Sequence, residues 1–420
     1  MPYRNSGRED LPGRRAVLRA LPALGGAAML AGPLAGTARA TARGAAEATA
    51  LGAALTPAVR RAEGPIVKPL PPEVFIAYGS NAETRWEALR DIGYYVPNER
   101  FFVRNHTATP RIDAATWRLR VHGSGVRRPQ EFSYAQLRAL PSVTVDAAIE
   151  CAGNGRSFFA TQQGEGASGT QWRLGAVGVA RWRGVPLGTV LRRAGLSKNA
   201  VDVMPSGLDA DYVSDGQNLG RVRRPLPIDK ALDDVLLAYE MNGEPLPPDH
   251  GFPVRVVVPG WVGIASIKWV GDIEVSTEPL SSPWNTIYYR LFGPGYPEEG
   301  SAPLTRQVTK SAFELGWEAS IPAGRPYRLH GRSWSGRGRI TRVEVSTDGG
   351  IRWRDAQLLD GGRRGPWTRW RITWPDPRPG RTELLARATD ETGAVQPATT
   401  PFNTMGYLFD AIVAHPVQVT

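Results

Sequence analysis

The sequence predicts an α+β domain followed by an all-β sandwich of immunoglobulin-like type. Three observations lead there. Between Pro69 and about Val275, short apolar runs, turn clusters and a few helix-period stretches mix without regular βαβ alternation, which argues against a Rossmann fold. The texture changes across SSPWNTIYYRLFGPGYPEEG, near residue 300. Beyond it, several strand patterns follow at short spacing with no helix-period segment.

In the first domain, Trp117-Arg118-Leu119-Arg120-Val121 alternates as a strand. Ser133 is placed to cap a short helix running to Leu140. A second helix is predicted from Val185 to Ala194, closed by Gly195. Val254 to Val258 forms a buried strand that Pro259-Gly260 stops. In the second domain, Val343 and Val345 alternate with Arg342 and Glu344. Thr347-Asp348-Gly349-Gly350 then turns the chain, with Ile351 and Trp353 continuing on a return strand: a predicted hairpin. Trp370, Ile372 and Trp374 alternate next, then Leu384, Ala386 and Ala388.

Ahead of these domains the first forty residues have the composition of an export signal. Arg14-Arg15 precede a weakly hydrophobic run, LPALGGAAMLAGPLAG, that ends at the A-x-A pattern Ala38-Arg39-Ala40. The paired arginines point to the twin-arginine route and hence to a periplasmic or extracellular protein; an ordinary secretory signal or an uncleaved anchor is the alternative. The predicted organisation is therefore a leader over residues 1–40, an Ala-rich linker or arm over 41–68, a first domain over 69–300 and a sandwich over 301–420. A chain of 420 residues is long enough for two such domains. Lys and Arg total 51 against 40 Asp and Glu, a net charge of +11 that suits an anionic substrate or acidic partner. No basic run carries interleaved aromatics, so a nucleic-acid partner is not expected.

The chain holds a single cysteine, Cys151, which excludes a disulfide framework. A lone thiol in an oxidising compartment is either buried and inert or bound. Its setting, Ala148-Ile149-Glu150-Cys151-Ala152-Gly153-Asn154-Gly155-Arg156-Ser157, combines a strand end with a Gly/Asn-rich turn that lets backbone approach something bulky. A thiolate is a soft ligand for a transition metal, and Arg156 can lower its pKa or bind an anion. No second cysteine or close histidine spacing completes a zinc site. A nucleophilic role stays open, because a histidine distant in sequence can be near in space.

Here the chain resembles the sulfite oxidase family of molybdopterin enzymes. Four segments stand in family order: FFVRNH from Phe101, CAGNGR from Cys151, QWRLGAVGVARWRGVPL from Gln171 and MNGEPLPPDHGFPVRVVVPGWVGIASIKW from Met241. The sandwich resembles the family's dimerisation domain, so the likeness covers nearly everything from about residue 70 and implies a sulfite-oxidase-type molybdopterin-binding domain over 69–300. It implies that Cys151 ligates molybdenum beside the cofactor's dithiolene. Arg104 and Arg156 match substrate arginines, Trp172 lines the oxyanion pocket, and Tyr289 matches the active-site tyrosine, with Tyr288 one position away. His106, His250, Arg255 and Lys268 match positions that hold the pterin and phosphate, and Asp209 is a weaker match of the same kind. For His106, Trp172, Arg255 and Asp209 the competing readings are core packing, a surface histidine or a buried ion pair. One departure is visible. Animal and plant members commonly carry two arginines after the Asn, whereas Gly155 stands here before Arg156.

The resemblance implies oxidation of sulfite to sulfate by oxygen-atom transfer at molybdenum, with protein groups positioning the anion. No Cys-x-x-Cys-His haem motif occurs and one cysteine cannot hold an iron–sulfur cluster, so no haem is expected on this chain. Electrons would pass to a separate acceptor, such as a cytochrome, or to oxygen. Alternatives are a reductase of nitrate, a sulfoxide or another small oxyanion, a sulfite dehydrogenase inside a thiosulfate-oxidising complex, and a non-enzymatic secreted binding protein. A homodimer is implied by the second domain.

Overall fold

A computed structural model describes residues 64–361 and 363–420. The expected leader, and the expected arm up to residue 63, lie outside the described residues. Among the described residues no helix is long and apolar enough to cross a membrane. Residues 64–68, the end of the expected arm, are held by the body of the protein. Ile66 is buried, and the Val67 and Lys68 amides donate to the Asp249 carboxylate at 2.9 and 2.8 Å.

The first part is built on two five-stranded sheets. One runs in the order Leu226–Pro227, Asp202–Gly207, Val270–Ser276, Arg118–His122, Gln130–Ser133, with Val270–Ser276 parallel to Arg118–His122. The other runs Glu244–Pro245, Leu236–Met241, Val177–Pro186, Val143–Glu150, and Arg255–Val257 also pairs with Leu236–Met241. A small third sheet joins Phe75–Tyr78, Asn81–Thr84 and Val103–Arg104. The alternation in the Trp117–Val121 segment works as predicted: Leu119 and Val121 are buried between the exposed Arg118 and Arg120. The helix after Ser133 spans Tyr134–Arg138 and is closed by a reciprocal cap, Gln136 N–H to Ser133 Oγ and Ser133 N–H to Gln136 Oε1. The next predicted helix is shorter than expected, Leu187–Arg193, because Val185 and Pro186 end a strand instead. Gly195 follows it at φ +74°, the left-handed conformation expected of a helix stop.

The second part is a sandwich. One sheet orders Lys310–Phe313, Tyr327–Trp334, Trp367–Trp374 and Gln357–Leu358; the other orders Ala319–Ile321, His415–Val419, Gly380–Asp390, Ile340–Ser346 and Arg354–Asp355. Leu329, Val343, Val345, Trp370, Leu384 and Ala386 fill its core. The predicted hairpin forms, but its return strand starts at Arg354, opposite Val345, rather than at Ile351. Ile351 is 81% exposed. Side chains close a longer loop: Ser346 Oγ accepts from the Gly350 amide, Asp348 Oδ1 from the Arg352 amide, and Trp353 donates its indole N–H to Gly350 O. These bonds replace ladder pairs, so the alternation of Ile351 and Trp353 lies in the loop.

Candidate active site

Cys151 follows directly on the buried end of the Val143–Glu150 strand. Its amide donates to Ala176 O at 2.9 Å. The residues around it are pinned from behind. Asn154 Nδ2 donates to Glu150 Oε1 at 3.1 Å and accepts at Oδ1 from the Ala176 amide at 3.0 Å. Lys310, from the sandwich, donates to Glu150 Oε1 at 2.8 Å and to Asn154 O at 2.7 Å, and this ion pair is almost fully buried. Gly155 takes φ +96°, and a Cβ there would lie 3.1 Å from Phe409 Cβ. The departure from the paired-arginine pattern therefore has a local cause: the C-terminal segment that carries Phe409 fills the space.

Two cavities meet at Cys151. The inner one, about 710 Å³, is lined by Asp209, His250, Arg255 and Lys268 among others. The outer one, about 1200 Å³ with its mouth, is lined by Arg156, Trp172, Tyr212 and Tyr407 among others. Arg104, Asn105, His106, Cys151 and Tyr289 line both. All ten residues singled out from the sequence thus face one cavity or the other, and no distant outlier remains. Tyr288 also reaches the outer cavity, where its hydroxyl donates to Ser214 Oγ at 3.2 Å; Tyr289 sits deeper, at the junction.

The inner cavity gathers Arg255 and Lys268, with Lys68 near by; none of the three forms a salt bridge among the described residues, although the Asp249 carboxylate acts on both lysines. Arg255 is satisfied only by carbonyls, those of His250 at 3.1 Å and Ser266 at 2.9 Å and a longer contact to Val256, and lies 5.0 Å from the Trp182 ring. Burial lowers it to about 9. Lys268 donates to Asn105 Oδ1 and to Asp249 O and lies over Trp269; burial, with Arg255 nearby, pushes it well down. Lys68 donates to the carbonyls of Phe101 and Asn98 and is lowered to about 7, chiefly by burial. The fully buried ion pairs among the described residues, Lys310–Glu150 and Arg332–Glu314, lie outside this cluster. Uncompensated buried charge is costly, so such a cluster is built for an anion. Arg104 Nη1 is buried with no hydrogen-bond partner, and so is Asp209 Oδ1. Burial raises the Asp209 carboxyl to about 6.

Both histidines are held neutral by burial and by neighbouring cations. His106 Nε2 lies 3.1 Å from the Trp284 indole N–H, which can only donate. Nε2 is therefore the acceptor, and the proton sits on Nδ1. In the outer cavity Arg156 is fixed by carbonyls, Nε to Met405 O at 2.9 Å and Nη1 to Thr170 O at 2.8 Å. It threads between glycines: a Cβ at Gly153, Gly169 or Gly406 would lie within 2.9 Å of its side chain. Burial pushes the Tyr289 phenol up, so it stays protonated.

Sequence reasoning missed several lining residues. Asn105 and Asp249 lie inside quoted segments without an assigned role. Met405 and Tyr407 come from a segment some 250 residues beyond Cys151 in the chain, in no recognisable motif, and reach the cavity only through tertiary packing.

Residues 106–284 match the oxidoreductase molybdopterin binding domain, and residues 316–419 match the Mo-co oxidoreductase dimerisation domain. The chain is 38% identical to mitochondrial sulfite oxidase of Homo sapiens over 351 residues, 79% of this chain and 63% of the human protein. It thus spans less than two thirds of that relative's length. Identity to sulfite oxidase of Gallus gallus is also 38%, over 76% of this chain and 71% of the chicken protein. The NADH nitrate reductase of Ulva prolifera is 31% identical over 78% of this chain and 40% of its own. Among solved structures, the sulfane dehydrogenase SoxCD from Paracoccus pantotrophus superposes with a TM-score of 0.69 at 31% identity, covering 79% of this chain and 83% of that one. The chain belongs to the sulfite oxidase family of molybdopterin-dependent oxidoreductases.

Proposed function

We propose that this protein oxidises sulfite to sulfate at a molybdenum ligated by Cys151 and passes the electrons to a separate acceptor, such as a cytochrome. The observation that carries the reading is the position of Cys151, at the junction of a cation-lined inner cavity and an arginine-bearing outer one. The names of the sulfite oxidases and the sulfane dehydrogenase among its relatives support a sulfur substrate.

The residues present fit the family's cofactor. An anionic pterin phosphate would offset the burial cost of Arg255, Lys268 and Lys68. The unpartnered Asp209 Oδ1 offers an acceptor for a pterin N–H, and neutral His106 offers an Nδ1–H donor. Cys151 supplies the soft ligand, and its loop is braced by Asn154, Glu150 and Lys310. When bound, molybdenum supplies the two-electron oxygen-atom-transfer chemistry.

The chain's own residues bind and orient the substrate. Arg104 presents an unpaired guanidinium at the junction, a planar fork matched to two oxyanion oxygens. Arg156 is pinned on one side by carbonyls, which aims its remaining N–H groups into the cavity. Tyr289 stays protonated and would donate to a substrate oxygen, while the buried Trp172 forms part of the wall beside it. The net change adds one oxygen to sulfur from water and releases two electrons and two protons. The arginines would balance the charge of the oxyanion, and Tyr289 would keep its proton in a hydrogen bond to it.

A second reading, oxidation of a sulfane sulfur, is favoured by the likeness to the sulfane dehydrogenase SoxCD. Export by the twin-arginine route, for which Arg14-Arg15 argue, and a dimer formed through the sandwich complete the proposal. The test is sulfite-dependent reduction of ferricyanide by protein purified from a host that makes molybdopterin, beside a Cys151→Ala control. Turnover that vanishes in the control supports the reading. Molybdenum-loaded protein with no sulfite turnover overturns it and directs assays to sulfane, sulfoxide and nitrate substrates.

A further inference from the structure

The segment between the strands Gly380–Asp390 and His415–Val419 leaves the sandwich, crosses to the Cys151 loop and returns. Its tip is tightly held. Asn403 Oδ1 accepts from the Tyr407 amide and Asn403 Nδ2 donates to Tyr407 O, both at 2.9 Å. The Thr404 amide donates to Phe292 O, and the Leu408 amide donates to Ala152 O at 2.8 Å, one residue from the cysteine. Gly406 takes φ +57° against the Arg156 side chain, where a Cβ would lie 2.6 Å from Arg156 Cγ. No larger residue would let the segment approach so closely.

This tip delivers Tyr407 into the outer cavity. The ring stacks on Tyr289 with centroids 5.1 Å apart and planes 8° from parallel. The Arg156 guanidinium carbon lies 5.4 Å from its centroid. Tyr407 is only 7% exposed as a residue, its hydroxyl makes no hydrogen bond among the described residues, and that oxygen stays open to the cavity. A phenol hydroxyl open to the cavity and free of protein partners can donate to a ligand without giving up an existing bond. Burial raises its pKa, so the group is a donor at any working pH. A donor stacked on the proposed active-site tyrosine and packed on a proposed substrate arginine is placed for an oxyanion.

We propose that Tyr407, supplied by the C-terminal domain, contacts the substrate oxyanion as a hydroxyl donor and sets its affinity, while its ring holds Tyr289 and Arg156 in register. The inference rests on the oxyanion reading of the pocket. A hydrogen bond to a charged acceptor is worth about 1.5–3 kcal/mol, so its loss weakens binding roughly 10- to 100-fold.

The test compares the holoenzyme with its Tyr407→Phe and Tyr407→Leu variants in two measurements: sulfite steady-state kinetics and calorimetric titration with sulfate. Tyr407→Phe keeps the stack and removes the hydroxyl. It is expected to raise the sulfite KM and the sulfate Kd at least about tenfold, with kcat moving less than KM. Tyr407→Leu also removes the stack and is expected to lower kcat in addition. Wild-type turnover with an unchanged KM and Kd in Tyr407→Phe overturns the inference and leaves the sulfite assignment standing. If the wild type binds sulfate but does not oxidise sulfite, the sulfate Kd still decides the role of Tyr407 while the substrate assignment falls. Absence of both turnover and sulfate binding overturns the two together.

Discussion

Arg104 separates what folding needs from what chemistry needs. Its Nη1 is buried without a partner, and no carboxylate pairs with it. Such a group costs stability in the empty protein and repays that cost only when an anion arrives. Arg104→Met is therefore expected to leave the cofactor-free protein at least as stable in urea unfolding, while sulfite kcat/KM falls by roughly 100-fold or more. A variant that unfolds at lower urea, with kcat/KM close to wild type, would contradict this. Glu83 behaves differently. It is buried, accepts from Tyr78 Oη–H at 2.9 Å and from the Gly175 amide, and its carboxyl is raised by burial to about 7. The unfolded chain releases that proton near the ordinary carboxyl value of 4.5, so the folded state binds more protons between the two values. The stability Glu83 contributes is full below about 4.5 and lost as pH rises through about 7. Glu83→Gln should flatten that fall in a series of thermal melts; an unchanged pH profile would show that Glu83 is not its source.

At the scale of elements, the loop from Cys151 to Arg156 has its conformation set by neighbours from elsewhere in the chain. Gly155 at φ +96° faces Phe409, so Gly155→Arg, which restores the paired-arginine pattern of animal and plant relatives, carries backbone strain and a clash. It is expected to destabilise the protein by about 1–3 kcal/mol in urea unfolding, and an effect near zero would mean that the segment bearing Phe409 yields. The elements that sequence reading placed well are those whose cause is local. Ser133 and Gln136 cap a helix whose bonds close within four residues, and Leu119 and Val121 alternate on one strand. The return strand after Gly350 was misplaced because side-chain bonds from Ser346 and Asp348 extend the loop past an alternating pattern. The short helix Ser157–Gln163 was hidden behind a Gly-rich prefix and two phenylalanines that pack on Phe409.

At the scale of the whole molecule, the two parts are bolted through buried polar contacts. Arg332 of the sandwich bonds Glu314 and the carbonyls of Tyr94 and Leu89, and Tyr94 and Trp367 exchange hydrogen bonds. Lys310 reaches the Cys151 loop through Glu150. Lys310→Met strands Glu150 as an unpaired buried carboxylate and is expected to cost about 3–5 kcal/mol in urea unfolding. A loss under 1 kcal/mol would mean that the loop does not depend on this bridge. The ten residues that line the two cavities were singled out because family order marks them and their chemistry is unusual for their position, as with Arg255 inside a valine run. Tyr407 and Lys310 were not legible, since a tyrosine after a Gly and a lysine in a strand have ordinary local explanations. Only the fold brings them to the cysteine.

Cys151, at the meeting point of the two cavities, should contribute a sulfur to the metal's coordination. X-ray absorption at the molybdenum edge tests it most directly, on wild type and on Cys151→Ser loaded with the same cofactor. One sulfur fewer around molybdenum is expected in the variant, with metal content retained through Arg255, Lys268 and the inner cavity. An unchanged sulfur count would contradict it and return Cys151 to the role of a buried thiol.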